Sequence, residues 1–95
     1  MNLKPLDPLL HSQLRLAIMS ILVSVEVANF VYLKDNTNAS AGNLSVQIDK
    51  LNVAGYITVK KSFKGKKPNT ACKITKQGIK AFELYVENLK SYFSQ

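Results

Sequence analysis

The tract 40-SAGNLSVQIDKLNVAGYITVKKSFKGKKPNTACKITKQG-78 decides the reading of this chain. It opens on Ser40, a residue that caps helices, followed by Leu44, Ile48 and Leu51 at spacings of four and three, which is one buried helical stripe. Asn43, Gln47, Lys50 and Ala54 fall on another face. Gly55 stands where such a helix must end, because glycine takes the left-handed backbone of a helix exit without steric cost. From Tyr56 to Phe63 the residues alternate, with Ile57 and Val59 toward one side and Tyr56, Thr58, Lys60 and Ser62 toward the other, as in a half-buried strand. Lys64 to Pro68 is turn chemistry, Thr70 to Ile74 reads as the return strand, and Thr75 caps a helix that runs towards Gln95.

Outward from this tract the pattern is helical. Ser12 caps a first helix in which Leu14, Ala17, Ile18, Ile21, Leu22 and Val25 recur at helical spacing. Glu26 to Ala28 reads as a short connection, and Asn29 caps a second helix carrying Val31, Tyr32 and Leu33. Asn36 to Ser40 is turn and cap chemistry that separates the second helix from the third. Ahead of Ser12, Pro5 and Pro8 interrupt a leucine-rich segment, so any helix there is short. The expected fold is α+β, mainly α: a winged helix-turn-helix with a three-helix core, a two-stranded β wing and a long C-terminal helix.

Length allows one domain, 1–95, and no second core. The last helix carries a long apolar stripe, Ile79, Phe82, Val86, Leu89 and Phe93, and with Tyr85 and Tyr92 it exceeds what a small winged core covers. Segments 1–11 and 76–95 are therefore the expected dimerisation elements, with Leu6, Leu9, Leu10, Phe82, Tyr85, Val86, Leu89, Tyr92 and Phe93 at the interface.

Thirteen Lys and Arg against six Asp and Glu give a net charge of +7, which favours an acidic partner, nucleic acid or a membrane surface. The distribution is one-sided: lysines run from Lys50 to Lys80 with no acid between Asp49 and Glu83. Cys72 is the single cysteine, so an intramolecular disulfide and a thiolate zinc cluster are both excluded, in keeping with a reducing, cytoplasmic setting. The apolar run from Ala17 to Val25 is broken by Ser20 and Ser24 and falls short of a membrane span, and the opening residues do not form a secretory signal, so no membrane partner is expected.

A helix enters the major groove of DNA when its exposed face is small or polar near its N-terminal end. Ser40, Gly42, Asn43, Ser45, Val46, Gln47 and Lys50 meet that condition. Asn43 and Gln47 pair donors with acceptors in a way that suits adenine, Val46 suits a thymine methyl, and Lys50 suits a phosphate or guanine. In the hairpin, Lys60, Lys61, Lys64, Lys66 and Lys67 cluster about Gly65, joined by Asn69 and Thr70, and form a basic ribbon for the backbone or a minor groove. The expected partner is double-stranded DNA, positioned by the wing and read by the third helix.

The tracts His11 to Ile18, Gly42-Asn43-Leu44-Ser45, Lys50-Leu51 with Ala54-Gly55-Tyr56, Phe63 to Thr70 and Ile74 to Gly78 resemble the small winged-helix transcriptional regulators related to the MarR and ArsR families. The resemblance spans nearly the whole chain. It implies a homodimeric DNA-binding regulator in which Gly42 to Lys50 reads the major groove. Gln47 and Asp49 depart from the histidine and the basic or polar residue found in many relatives, which leaves the preferred sequence open. The cysteine motif of metal-sensing ArsR members is missing, so no metal response is expected.

His11, without a second histidine, reads as a capping or packing residue. Cys72 reads as a small buried side chain. Arg15 suits a phosphate, an acid such as Glu83, or a partner subunit, and Asp49 on the reading helix repels phosphate unless a lysine pairs with it. No paired-carboxylate, Cys/His or phosphate-loop constellation points to an enzyme or a cofactor. The remaining alternatives are a protein-interaction module whose wing grips an acidic partner and a nonspecific architectural DNA-binding protein. The sequence does not specify an effector.

Overall fold

The computed structural model describes residues 2–94. Its order is α1 (Gln13–Val25), β1 (Val27–Asn29), α2 (Phe30–Thr37), α3 (Ala41–Val53), β2 (Ile57–Lys64), β3 (Lys67–Ile74) and α4 (Lys76–Lys90). Every helix begins where the sequence offers a capping oxygen. Ser12, Asn29, Ser40 and Thr75 are extended residues whose side chains accept from the N–H groups of Arg15, Tyr32, Asn43 and Gly78, donors that an opening helical turn leaves unpaired.

The exits differ. Asn38 closes α2 in the left-handed region at φ 56°, which asparagine tolerates. At the end of α3, Gly55 takes φ 81°, its N–H bonds the Asn52 carbonyl at 3.0 Å, and the Tyr56 N–H bonds the Leu51 carbonyl at 3.0 Å, a Schellman exit. At the end of α1, Glu26 holds φ 71° and ψ −49°, a conformation that disfavours a side chain.

The three strands form one antiparallel sheet in the order β1-β3-β2. Register pairs Val59 with Cys72 and Cys72 with Ala28, so the centre of the sheet lies on the helical layer. Leu44, Ile48 and Leu51 from α3 meet Ile18, Met19 and Leu22 from α1 there, all buried.

Three expectations change. Glu26 to Ala28 is no plain connection, since Val27–Asn29 forms a strand against Ala71–Lys73. Three residues are too few to display alternation. The wing turn is also tighter than Lys64 to Pro68: Lys64 pairs with Lys67, leaving Gly65 and Lys66 at the tip with Gly65 at φ 63°. Pro68 lies within β3, at an outer stretch that β1 does not reach, where a missing N–H costs no ladder bond. Finally, α4 stops at Lys90, so Tyr92 and Phe93 lie in the turn beyond it, and Gln95 is outside the described residues.

The opening of α4 seals the exit of α3. Gln77 Nε2 donates to the Ala54 carbonyl at 3.4 Å, Thr75 Oγ1 to the Gly55 carbonyl at 2.6 Å, and the Thr75 N–H to the Tyr56 carbonyl at 3.1 Å. Three successive carbonyls are thus received by residues at the start of another helix. Gly78 is buried at this joint, and a Cβ placed on it would sit 2.1 Å from the Tyr56 oxygen.

The leading segment is ordered by polar contacts. The Lys4 N–H donates to Ser91 Oγ at 3.1 Å, Asn88 Nδ2 to the Pro5 carbonyl at 3.1 Å, and the Tyr92 hydroxyl to the Lys4 carbonyl at 3.0 Å. Asp7 accepts from the Leu9 N–H and from the Tyr56 hydroxyl. The Tyr56 phenol pKa is pushed up to about 12, first by that bond to Asp7, then by burial and the neighbouring charge.

Candidate nucleic-acid interface

The N-terminal half of α3 presents a small, polar surface because its leucine stripe points inward. Ser40, Gly42, Asn43, Ser45, Val46 and Lys50 are exposed, and Gln47 is half-buried. Gly42 has no atom near where a Cβ would stand, so nothing on this surface restricts approach to a ligand at that point. Lys50 lies in the last turn, where a cation also opposes the negative end of the helix dipole.

The β2–β3 ribbon divides its lysines between two faces. Because side chains alternate, Lys60 and Lys64 share a face with Lys67 and Asn69, while Lys61 shares the other with Thr70, Val59 and Phe63. Lys66 stands at the turn with Gly65. All five wing lysines are exposed, and among the described residues the ion pairs are Lys73 with Glu26 at 3.9 Å and Lys90 with Glu87 at 3.3 Å. The wing charge is uncompensated.

Between α3 and the inner face of the ribbon lies an open groove of about 720 Å³, lined by Ser45, Val46, Asp49 and Asn52 from the helix and by Lys61 and Thr70 from the strands. α3 and the β2–β3 ribbon therefore border one concave surface. Asp49 faces it without an ion-pair partner among the described residues.

Sequence reasoning did not foresee what Arg15 does. Its Nε donates to the Leu9 carbonyl and its Nη1 to Gln47 Oε1, while Gln47 Nε2 donates to Asn43 Oδ1 at 3.0 Å. Glu83 is not its partner. His11 packs as expected, its Nδ1 2.9 Å from the Tyr85 hydroxyl. Cys72 is fully buried, and burial pushes its thiol up to about 11, so it stays protonated and unreactive near neutrality.

The family model for the winged helix DNA-binding domain matches residues 14–93. The chain belongs to that family. The winged helix chain is 36% identical over 76 residues to the uncharacterized protein MJ0432 of Methanocaldococcus jannaschii, covering 80% of this chain and 83% of the relative. Its fold matches a transcriptional regulator homologue protein from Pyrococcus horikoshii OT3 with a TM-score of 0.82 and 26% identity, over 90% of this chain and 84% of that one. A MarR protein from Peptoclostridium difficile shares the fold at TM-score 0.67 and 19% identity, over 83% of this chain and 51% of the MarR chain. The winged helix and the DNA-binding character expected from the sequence both stand. The matched span includes Arg15, α3 and the β2–β3 ribbon.

The positions expected at a dimer interface divide. Leu10 and Tyr85 are buried in the chain's own core, and Leu6, Leu9, Phe82 and Leu89 pack against it. Val86, Tyr92 and Phe93 face outward, Phe93 at 78% exposure. Among the described residues no helix is long and apolar enough to cross a membrane.

Proposed function

We propose that this winged helix chain is a dimeric transcriptional regulator that reads double-stranded DNA in a sequence-specific way. In this reading α3 enters the major groove through Ser40, Gly42, Asn43, Ser45, Val46, Gln47 and Lys50. The wing, with Lys60, Lys61, Lys64, Gly65, Lys66, Lys67, Asn69 and Thr70, holds the backbone or an adjacent minor groove. The observation that carries the proposal is the set of uncompensated wing lysines on a ribbon that shares an open groove with α3, Lys61 and Thr70 lining one side of it and Ser45 and Val46 the other.

In this reading the dimer forms through α4. Val86, Tyr92 and Phe93 are exposed on or just beyond that helix and support 76–95 as a dimer element; segment 1–11, which lies along the same helix, is proposed with it. Two-fold symmetry then sets two reading helices about 34 Å apart on a pseudo-palindromic site.

The test is a titration against a random genomic-fragment pool at 50 and 200 mM salt, with the bound fragments sequenced. Enrichment of a two-fold symmetric motif, with affinity falling about a thousandfold or more between the two salts, is the expected result for about six to ten phosphate contacts. Salt-sensitive binding without a motif would make this an architectural protein. No binding at either salt would refute DNA binding and leave an acidic protein surface as the wing's partner.

A further inference from the structure

The amides of Asn43 and Gln47 have two ends alike in shape and opposite in hydrogen-bonding sense, and Arg15 decides which end each one shows. A guanidinium has N–H donors and no acceptor, so only the oxygen of Gln47 can face it. Arg15 is itself anchored, because its Nε is spent on the Leu9 carbonyl. With Oε1 held by Arg15, Gln47 turns its NH2 away, and that group, which only donates, meets Asn43 Oδ1 at 3.0 Å. Asn43 therefore turns Nδ2 away from Gln47, at an exposed position in the first turn of α3. Each orientation is forced by the one before it.

We propose that Arg15 is a positioning residue that sets the hydrogen-bonding polarity of the reading helix, committing Asn43 to present donors to DNA. The proposal rests on the DNA-reading function above. In the major groove guanine shows N7 and O6, both acceptors, side by side, whereas adenine sets its N7 beside the N6 donor. An unconstrained asparagine matches adenine with both ends of its amide. Asn43, with its oxygen engaged by Gln47, matches an edge made of acceptors and selects guanine over adenine. This reverses the adenine preference that the residue types alone suggest. Gln47, half-buried between Arg15 and Asn43, transmits the orientation.

The decisive variant is Gln47→Glu. It is nearly isosteric and keeps a partner for Arg15, but it offers Asn43 only acceptors, so the Asn43 amide must turn over and present Oδ1 to the groove. Site selection from a random duplex pool should then move the preference at the Asn43 position from guanine to a base with a groove-facing donor, adenine or cytosine. Arg15→Ala, which frees the relay, should reduce guanine-over-adenine discrimination from about tenfold to about twofold or less, with affinity for random duplex changed far less. Asn43→Ala identifies the position concerned by abolishing selection there. Circular dichroism and melting confirm that each variant is folded, and Gln47→Glu carries the test alone if Arg15→Ala does not fold. An unchanged base preference in folded, DNA-binding Gln47→Glu overturns the relay. Failure of the unaltered protein to bind any duplex overturns the DNA-binding reading instead.

Discussion

Gly78→Ala sets two strong and opposed effects against each other. In an exposed helix this change gains about 1 kcal/mol, because glycine carries the larger conformational entropy into the unfolded state. Here the new Cβ would stand 2.1 Å from the Tyr56 oxygen, 2.9 Å from its carbonyl carbon and 3.1 Å from Ile74 Cγ1. The closest neighbour is backbone, which cannot swing aside. Ordinary contact requires the first turn of α4 to retreat by about 1.3 Å. That retreat stretches the 3.1 Å bond from the Thr75 N–H to the same carbonyl and the 2.6 Å bond from Thr75 Oγ1 to the Gly55 carbonyl. Two weakened hydrogen bonds cost about 2 kcal/mol, and overpacking adds about 1–3 kcal/mol. After the helical gain the variant should lose about 2–4 kcal/mol, a fall in Tm of about 10 °C or more for a domain of this size. Urea and thermal unfolding measure it, with Gly42→Ala as the internal control. Gly42 has open space about its Cα, so that variant should be as stable as the parent or gain up to about 1 kcal/mol. A Gly78→Ala protein as stable as the parent would refute the reasoning about the joint.

Glu26→Gly should stabilise by about 1 kcal/mol in urea unfolding, because the strain at φ 71° outweighs the entropic cost of glycine and the exposed pair with Lys73 contributes little; a loss of that size would show the conformation to be unstrained. Tyr56→Phe should cost about 1 kcal/mol at neutral pH, a figure kept small by the solvent around this half-exposed group. Because the Tyr56 pKa is raised, the neutral phenol favours the fold, so its contribution is whole below pH 10 and lost as pH climbs through 12. The stability gap between parent and Tyr56→Phe should therefore close across that window, and a constant gap would count against the Asp7 bond. Thiol labelling of Cys72 at pH 8 should be at least about a hundredfold slower in the native protein than in urea, whereas equal rates would place the thiol at the surface.

Local chemistry was legible in the sequence and distant pairing was not. Ser12, Asn29, Ser40 and Thr75 act as caps because capping depends on residues within one turn, and Gly55 and Gly65 hold positive φ because few other residues do so cheaply. The stripe of Leu44, Ile48 and Leu51 is buried as its period requires. By contrast, β1 exists only through its partner in β3, and Pro68 belongs to a strand because the hydrogen-bonding edge it would spoil is vacant. Two contacts that the sequence did not announce join Arg15 to Gln47 and His11 to Tyr85, residues 32 and 74 positions apart. No linear pattern marks such pairs. Tyr85, expected at a dimer interface, lies in the chain's own core, with only its hydroxyl reaching out to His11.

The three carbonyls of Ala54, Gly55 and Tyr56 form a welded corner. The axis of α3, the root of the wing and the axis of α4 meet within three peptides, and bonds from Thr75 and Gln77 fix the angles among them. A corner tied this way transmits rotation. In a pair of chains joined through α4, a small tilt between the two long helices would swing each reading helix and its wing together, as one arm of a caliper. The spacing that the pair measures along a duplex would then be adjusted at the far end of the arm, while the gripping surface keeps its shape.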